Sequence, residues 1–263
     1  MTGKKVWVTW MPPREASHQP EEYVRLLGQY GLAVTCHVWM DDLGKMAWPG
    51  LGAALQDTTE ADLWLIAGAE SELMKSSNRY ALSLLTAIVR ASRGEAFPIV
   101  YLGLDFAARP HTMPTLMRPC PFVTATEQSW PAKIVAAAFT PPKVRALDFH
   151  LGLHVDPLFG QWFEIGPHQE SWAGVMFGVA EGGTITHHAV GTRAKLPTRS
   201  VLEYQLRGLQ AQVGKIVYTA WSVHNRLSSE DSYFVRVEGF PSSIIVGGHP
   251  ATDQEEVFVL TLQ

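Results

Sequence analysis

The sequence is short of cysteine, of net charge and of long apolar runs. Only Cys36 and Cys120 occur in 263 residues, too few for a disulfide framework or a thiolate cage around a metal. Lysine and arginine number 21 against 25 aspartates and glutamates, a formal charge of −4. That balance lacks the basic footprint by which proteins attract nucleic acid, so no nucleic-acid partner is expected. No run approaches the roughly 18 apolar residues of a membrane-spanning helix. The opening MTGKKVWVTW has no apolar stretch before a small-residue cleavage site. A cytoplasmic location and no membrane partner are therefore expected. Also missing are GxGxxG, GxxxxGK[ST] and the nucleophile elbow GxSxG. After the first apolar run, TWMPPREASHQP offers too few small N–H donors to cradle a phosphate, which disfavours flavin electron transfer.

What is present suffices for a core. Hydrophobic residues make up 46% and charged residues 17%, a composition that folds rather than staying disordered. The first 140 residues alternate short apolar runs with helical patterns. Residues 6–10 read as a buried strand. Residues 20–30 read as a helix with Tyr23, Leu26, Leu27 and Tyr30 on one face and Gly31 at its end. Strands follow at 33–39 and 61–67, the latter (ADLWLIA) apolar throughout, as suits a strand covered on both faces. A short helix is expected over 51–56. A long one runs from a Ser76 or Ser77 cap to Arg93, with Leu82, Leu85 and Val89 as its stripe and Gly94 closing it. Strands at 97–104 and 121–126 and a helix over 129–139, with Pro131 in its first turn, complete five repeats. The alternation predicts an α/β unit: a five-stranded parallel sheet with helices on both faces.

Pro141-Pro142 stops any helix and marks the expected boundary between domains 1–141 and 142–263. Beyond it the pattern becomes strand-length runs at 149–155, 161–165, 173–180, 184–190, 200–206, 215–224, 232–237, 243–246 and 256–262. Gly166-Pro167, Gly182-Gly183, Gly191, Gly214 and Gly247-Gly248 punctuate them. Residues 201–212 are ambiguous between helix and strand. Many short strands with regular turn signals predict an antiparallel β-sandwich.

The first half resembles a TIR domain, or a TIR-like member of the flavodoxin-like class. The residues that carry this are strand KVWVTW, a helix ending in YGL, strand AVTCHVW and the polar loop from Asp41-Asp42. Strand ADLWLIAGAE, the Ser-rich entry MKSSNRY and strand FPIVYLGLD continue it. The resemblance covers roughly residues 4–140 and implies the strand order 2-1-3-4-5. In the second half, VYTAWSVHNR and DSYFVRVEGFP look similar to the paired strands of immunoglobulin-like sandwiches. Enzymatic TIR domains cleave NAD at its glycosidic bond with a Glu on the helix after the third strand. The matching stretch here, residues 76–83 (SSNRYALS), has no carboxylate; Glu70 and Glu72 precede it in what reads as a loop. Without an acid to hold the ribose and stabilise the developing positive charge, that chemistry lacks its centre.

Candidate sites follow from these placements. Ligands of open α/β sheets bind beyond the carboxyl ends of the strands, where Trp10 and Trp39 offer stacking faces and Asp41, Asp42 and Glu70 offer carboxylates. Glu70 or Glu72 would be the catalytic acid if the chain were an enzyme. Trp39 and Trp48 flank the Asp41-to-Gly50 loop, which corresponds by the resemblance to the one TIR domains use for head-to-tail assembly, and Met40, Met46 and Trp48 are candidate interface anchors there. His150, His154 and Asp156 have a ligand-like spacing, but on a strand positions four apart lie about 13 Å from each other on one face, too far to share a metal without a turn. His187 and His188 point to opposite faces. Cys36 and Cys120 read as packing residues. The leading expectation is a signalling or scaffold protein whose TIR-like domain self-associates or docks a protein partner, without catalysis and without a cofactor. The alternative is an NAD or nucleotide glycohydrolase using Glu70 or Glu72, with NAD as substrate or ligand. A metal-binding β domain is the third.

Overall fold

The computed structural model describes the chain except for residues 1–2, 12–18, 41–48, 141, 143–146, 157 and 251–256, and the side chains of 49, 50 and 156. The chain divides into two compact units, Met1–Arg145 and Ala146–Gln263. Pro141, where the sequence sets the expected boundary, lies outside the described residues.

The N-terminal unit runs β1 (Lys5–Met11), α1 (Pro20–Gln29), β2 (Ala33–Val38), α2 (Pro49–Gln56), β3 (Leu63–Gly68), α3 (Glu70–Leu73), α4 (Ser76–Arg93), β4 (Ile99–Gly103), β5 (Phe122–Thr124) and α5 (Trp130–Phe139). All its strands are parallel, as the alternation of runs predicts, and they take the order β2-β1-β3-β4-β5 that the resemblance implies. Every residue of β3 is buried, so both faces of the sheet need cover. On one face Val6, Val8, Trp10, Leu65 and Leu102 meet Leu27 of α1 and Trp130 and Ile134 of α5. On the other, Trp64 donates from Nε1 to Thr9 Oγ1 at 2.7 Å, both residues fully buried. Tyr101 of β4 reaches Thr86 of α4 on that side.

Helix α4 is buried over residues 80–90 without a break, well beyond the stripe its sequence predicts. The segment after β4 explains this by packing on its outer side. Arg90 donates to the Leu116 carbonyl at 2.9 Å and to Cys120 Sγ at 3.2 Å, and Ser83 donates to Met117 Sδ at 3.6 Å. Two local expectations are corrected. Ser76 is the first helical residue, not the cap; Lys75 holds the cap position, and its side chain makes no capping bond. Glu70 and Glu72 lie on the short helix α3, not in a loop.

The C-terminal unit runs β6 (Phe149–Asp156), β7 (Gly160–Pro167), β8 (Trp172–Val179), β9 (Gly183–Thr192), β10 (Leu206–Val213), β11 (Ile216–Leu227), β12 (Asp231–Gly239), β13 (Ser243–Gly247) and β14 (Phe258–Thr261). Two antiparallel sheets form, ordered β10-β11-β8-β13-β14 and β6-β7-β12-β9. Their inner faces meet through aromatic pairs: Phe163 on Phe177 at 5.4 Å, His188 on Trp221 at 4.8 Å and Phe149 on Phe258 at 5.4 Å. The ambiguous segment is strand, but not over 200–206. Tyr204 takes φ +43, outside the extended region. From Leu206 onward Leu209, Ala211 and Val213 alternate half-buried with exposed Gln210 and Gln212. Among the described residues no helix is long and apolar enough to cross a membrane.

The Trp64–Thr9 bond gives a test of the core. Thr9→Val keeps the volume but leaves an indole N–H buried without an acceptor, which is expected to cost about 2 kcal/mol in urea denaturation. Adding Trp64→Phe should lower the coupling, so that the double variant falls short of the sum of the two single losses.

Candidate functional site

The carboxyl ends of the parallel strands come first. Beyond β3, α3 opens with the Glu70 N–H donating to Asp105 Oδ1 at 2.8 Å, which ties the loop after β4 to the end of β3. Glu70 is exposed. Glu72 is buried, and its carboxylate accepts from Lys75 Nζ at 3.1 Å. In the stretch where the TIR resemblance seeks an acid stands Asn78, fully buried. It donates from Nδ2 to the Glu72 carbonyl at 2.8 Å and accepts at Oδ1 from Trp39 Nε1 at 2.7 Å. A hydrogen-bonded amide and an indole therefore fill this part of the site.

The structure brings the other predicted residues together only in part. Trp10 is 2% exposed and belongs to the core, its ring 5.1 Å from that of Tyr23. Trp39 is 8% exposed and held by Asn78. Both tryptophans thus serve as packing, not as the open stacking faces the sequence reading expects. Aromatic residues at strand ends look alike in sequence whether they plug the core or face a ligand. Asp41, Asp42, Met46 and Trp48 lie outside the described residues. Met40 is 68% exposed. Cys120 is buried, and burial pushes its thiol up to about 11 against the opposing pull of Arg90. Burial raises Cys36 as well, with Glu21 adding to it. Both thiols are held in the protonated form, which is not the nucleophilic one.

A second polar site lies on the β6-β7-β12-β9 sheet, and only half of it is visible in the sequence. His150 and His154 flank Gly152 on β6, and the register sets Gly152 opposite Glu164 of β7. A Cβ on Gly152 would lie 3.1 Å from Glu164 Oε2, so the missing side chain is what lets the carboxylate lie across the neighbouring strand. Both histidines reach it. His154 donates from Nε2 to Oε2 at 2.6 Å, and His150 Nε2 lies 3.7 Å from Oε1. Ser232 of β12 donates to Oε1 at 2.6 Å, and the Ala194 N–H donates to the same oxygen at 2.7 Å. Because the Ser232 proton goes to Glu164, His150 Nε2 is the donor to Ser232 Oγ, at 2.9 Å. Glu164 is 3% exposed. Burial opposes its ionisation, yet the bonds from His150, His154, Ser232 and Ala194 hold the carboxyl well below its usual range.

The pair His150 and His154 thus shares a carboxylate. Asp156 ends β6, with its side chain outside the described set. Among the described residues no group of three or more His, Cys, Asp or Glu is arranged to hold a metal ion. His188 and His187 do point to opposite faces. His188 is buried and meets Tyr233 OH at 2.8 Å, while His187 is exposed. Glu164 and Ser232 escape the sequence reading because strand register is not encoded locally. The one available signal is a glycine between two same-face histidines, which marks room for a cross-strand group.

No protein-family model matches the chain, and no curated protein is significantly similar to it.

Replacing the central acid should expose its worth. Glu164→Gln is expected to lower stability by about 3 kcal/mol at neutral pH, as breaking a buried ionic cluster does. Since folding depresses the acid's pKa, its stabilisation is full above the ordinary carboxylate range and is lost as pH falls through that range and below. Urea denaturation of both proteins across a descending pH series should show the gap close in acid.

Proposed function

We propose that the N-terminal unit is a TIR-like assembly module of a signalling or scaffold protein, which joins a second copy of itself through the open edge of β2, the C-terminal sandwich being the sensing or scaffolding part. The observation that carries the reading is the exposed apolar end of that strand. Among the described strands β2 closes the sheet order on one side, and Val38 and Met40 stand 56% and 68% exposed at its carboxyl end. Unpaired strand edges with apolar side chains are ready templates for association. The loop that follows corresponds, by the resemblance, to the one TIR domains use for head-to-tail contact.

The polar site beyond β3 supports binding over cleavage. Glycosidic cleavage of NAD needs a carboxylate free to face the sugar. Glu72 is engaged by Lys75, and the stretch 76–83 carries Asn78 in place of an acid. A nucleotide glycohydrolase is the second reading, favoured by the exposed carboxylate of Glu70 beyond β3. No bound cofactor is part of either reading.

Light scattering on a size-exclusion column over a range of concentrations tests the first. The wild-type chain is expected to shift towards a dimer or larger assembly as concentration rises. Met40→Asp should weaken that association by about tenfold or more, the loss of one central anchor. A strict monomer throughout would overturn the proposal. Incubation with NAD separates the readings: the assembly module releases no nicotinamide above the buffer blank, whereas the enzyme releases it and loses that activity in Glu70→Gln.

A further inference from the structure

The C-terminal unit contains a cavity of about 390 Å³, none of whose lining residues belongs to the Glu164 network. Its origin is a mismatch of strand lengths. β13 pairs with β8 only as far as Gly247 opposite Met176, while β8 extends back through residues 172–175 without it. The chain leaves the sheet at Gly248 and His249, and the gap is the cavity. Gly174 keeps it open. At φ +120 it adopts a backbone that side chains rarely take, and a Cβ there would lie 2.6 Å from that of His249 and 3.0 Å from the Val223 carbonyl.

The lining has a definite chemistry. Trp172 and Phe258 are both half-buried and both back onto the ring of Phe149, at 6.3 Å and 5.4 Å, so the two aromatic walls share a rigid support. Asp148, exposed beside Phe149, is the one acidic or basic side chain in the described lining apart from His249. His249 turns Nε2 towards the Tyr204 carbonyl at 3.4 Å. Among the described residues no lysine or arginine lines the space.

We infer that this cavity binds a small organic cation, an ammonium group attached to an aromatic ring or short alkyl part. The faces of Trp172 and Phe258 attract the cation through their ring quadrupoles, tryptophan most strongly, and Asp148 supplies the opposite charge. The volume lies near the lower end of small-molecule sites, roughly 300–1,000 Å³, and suits a ligand of one or two rings. The inference concerns the C-terminal unit alone and stands independently of how the N-terminal unit assembles.

The test uses the full chain at pH 8, where an ordinary histidine is neutral. Tryptophan fluorescence and calorimetry follow titration with phenethylamine, trimethylphenylammonium, 2-phenylethanol and phenylacetate. The two cations are expected to bind saturably, the alcohol about tenfold more weakly, and the acid not at all. Asp148→Asn, at an exposed position, should leave the melting temperature unchanged and erase the preference of amine over alcohol. Trp172→Leu should abolish binding of both cations and of the alcohol. The inference is overturned if neither cation saturates at millimolar concentration, if phenylacetate binds as tightly as phenethylamine, or if Asp148→Asn retains the preference for the amine.

Discussion

A carboxylate sealed inside a sheet face has to be matched oxygen by oxygen, because the cost of leaving a buried charge unpaired exceeds what most other contacts return. Glu164 meets that demand with donors from β6, from β12 and from the chain after β9. Three separate parts of the C-terminal unit are thereby fixed to one atom pair. The β6–β7 register, the placement of Ser232 and the path of the backbone at Ala194, which takes φ +61, all answer to it. A slip of β6 by one residue would turn both histidines to the opposite face and place a side chain where Gly152 leaves space. The network is therefore a specification of register as much as a source of stability.

The N-terminal unit shows the same economy in an amide. Asn78 uses both ends of its side chain, one on the α3 backbone and one on Trp39. It joins the end of β2 to the start of α4 in the region where a flavodoxin-like sheet offers its ligand cleft. The indole of Trp39 and the amide occupy part of that cleft themselves. Exposed Glu70 and the Asp105 carboxylate that accepts from its backbone remain at the rim.

Much of the architecture is legible before any coordinates. The unbroken apolar run of β3 requires cover on both sides, and alternation with helical stripes then leaves a parallel sheet as the solution. The strands of the second unit follow from turn residues and runs of matching length. What the sequence hides is non-local. The burial of α4 on its outer side depends on residues 113–120 folding back. The roles of Trp10 and Trp39 depend on whether a neighbour covers them. Glu164 looks like any acid within a strand until register sets it opposite a glycine. Tyr204 misleads in the other direction, since a β-prone residue there takes a turn conformation and delays β10.

The strand order of the C-terminal unit has a consequence for how it is made. β8 lies between β11 and β13, both of which are synthesised long after it. During translation β8 waits with two bare edges, while the N-terminal sheet already has all its strands. Slow, long-range pairing of this kind exposes a nascent chain to misassociation. The early hairpin of β6 and β7 has a local partner at once, so the ribosome-bound chain should acquire its Glu164 half-site first and its ligand-sized gap last.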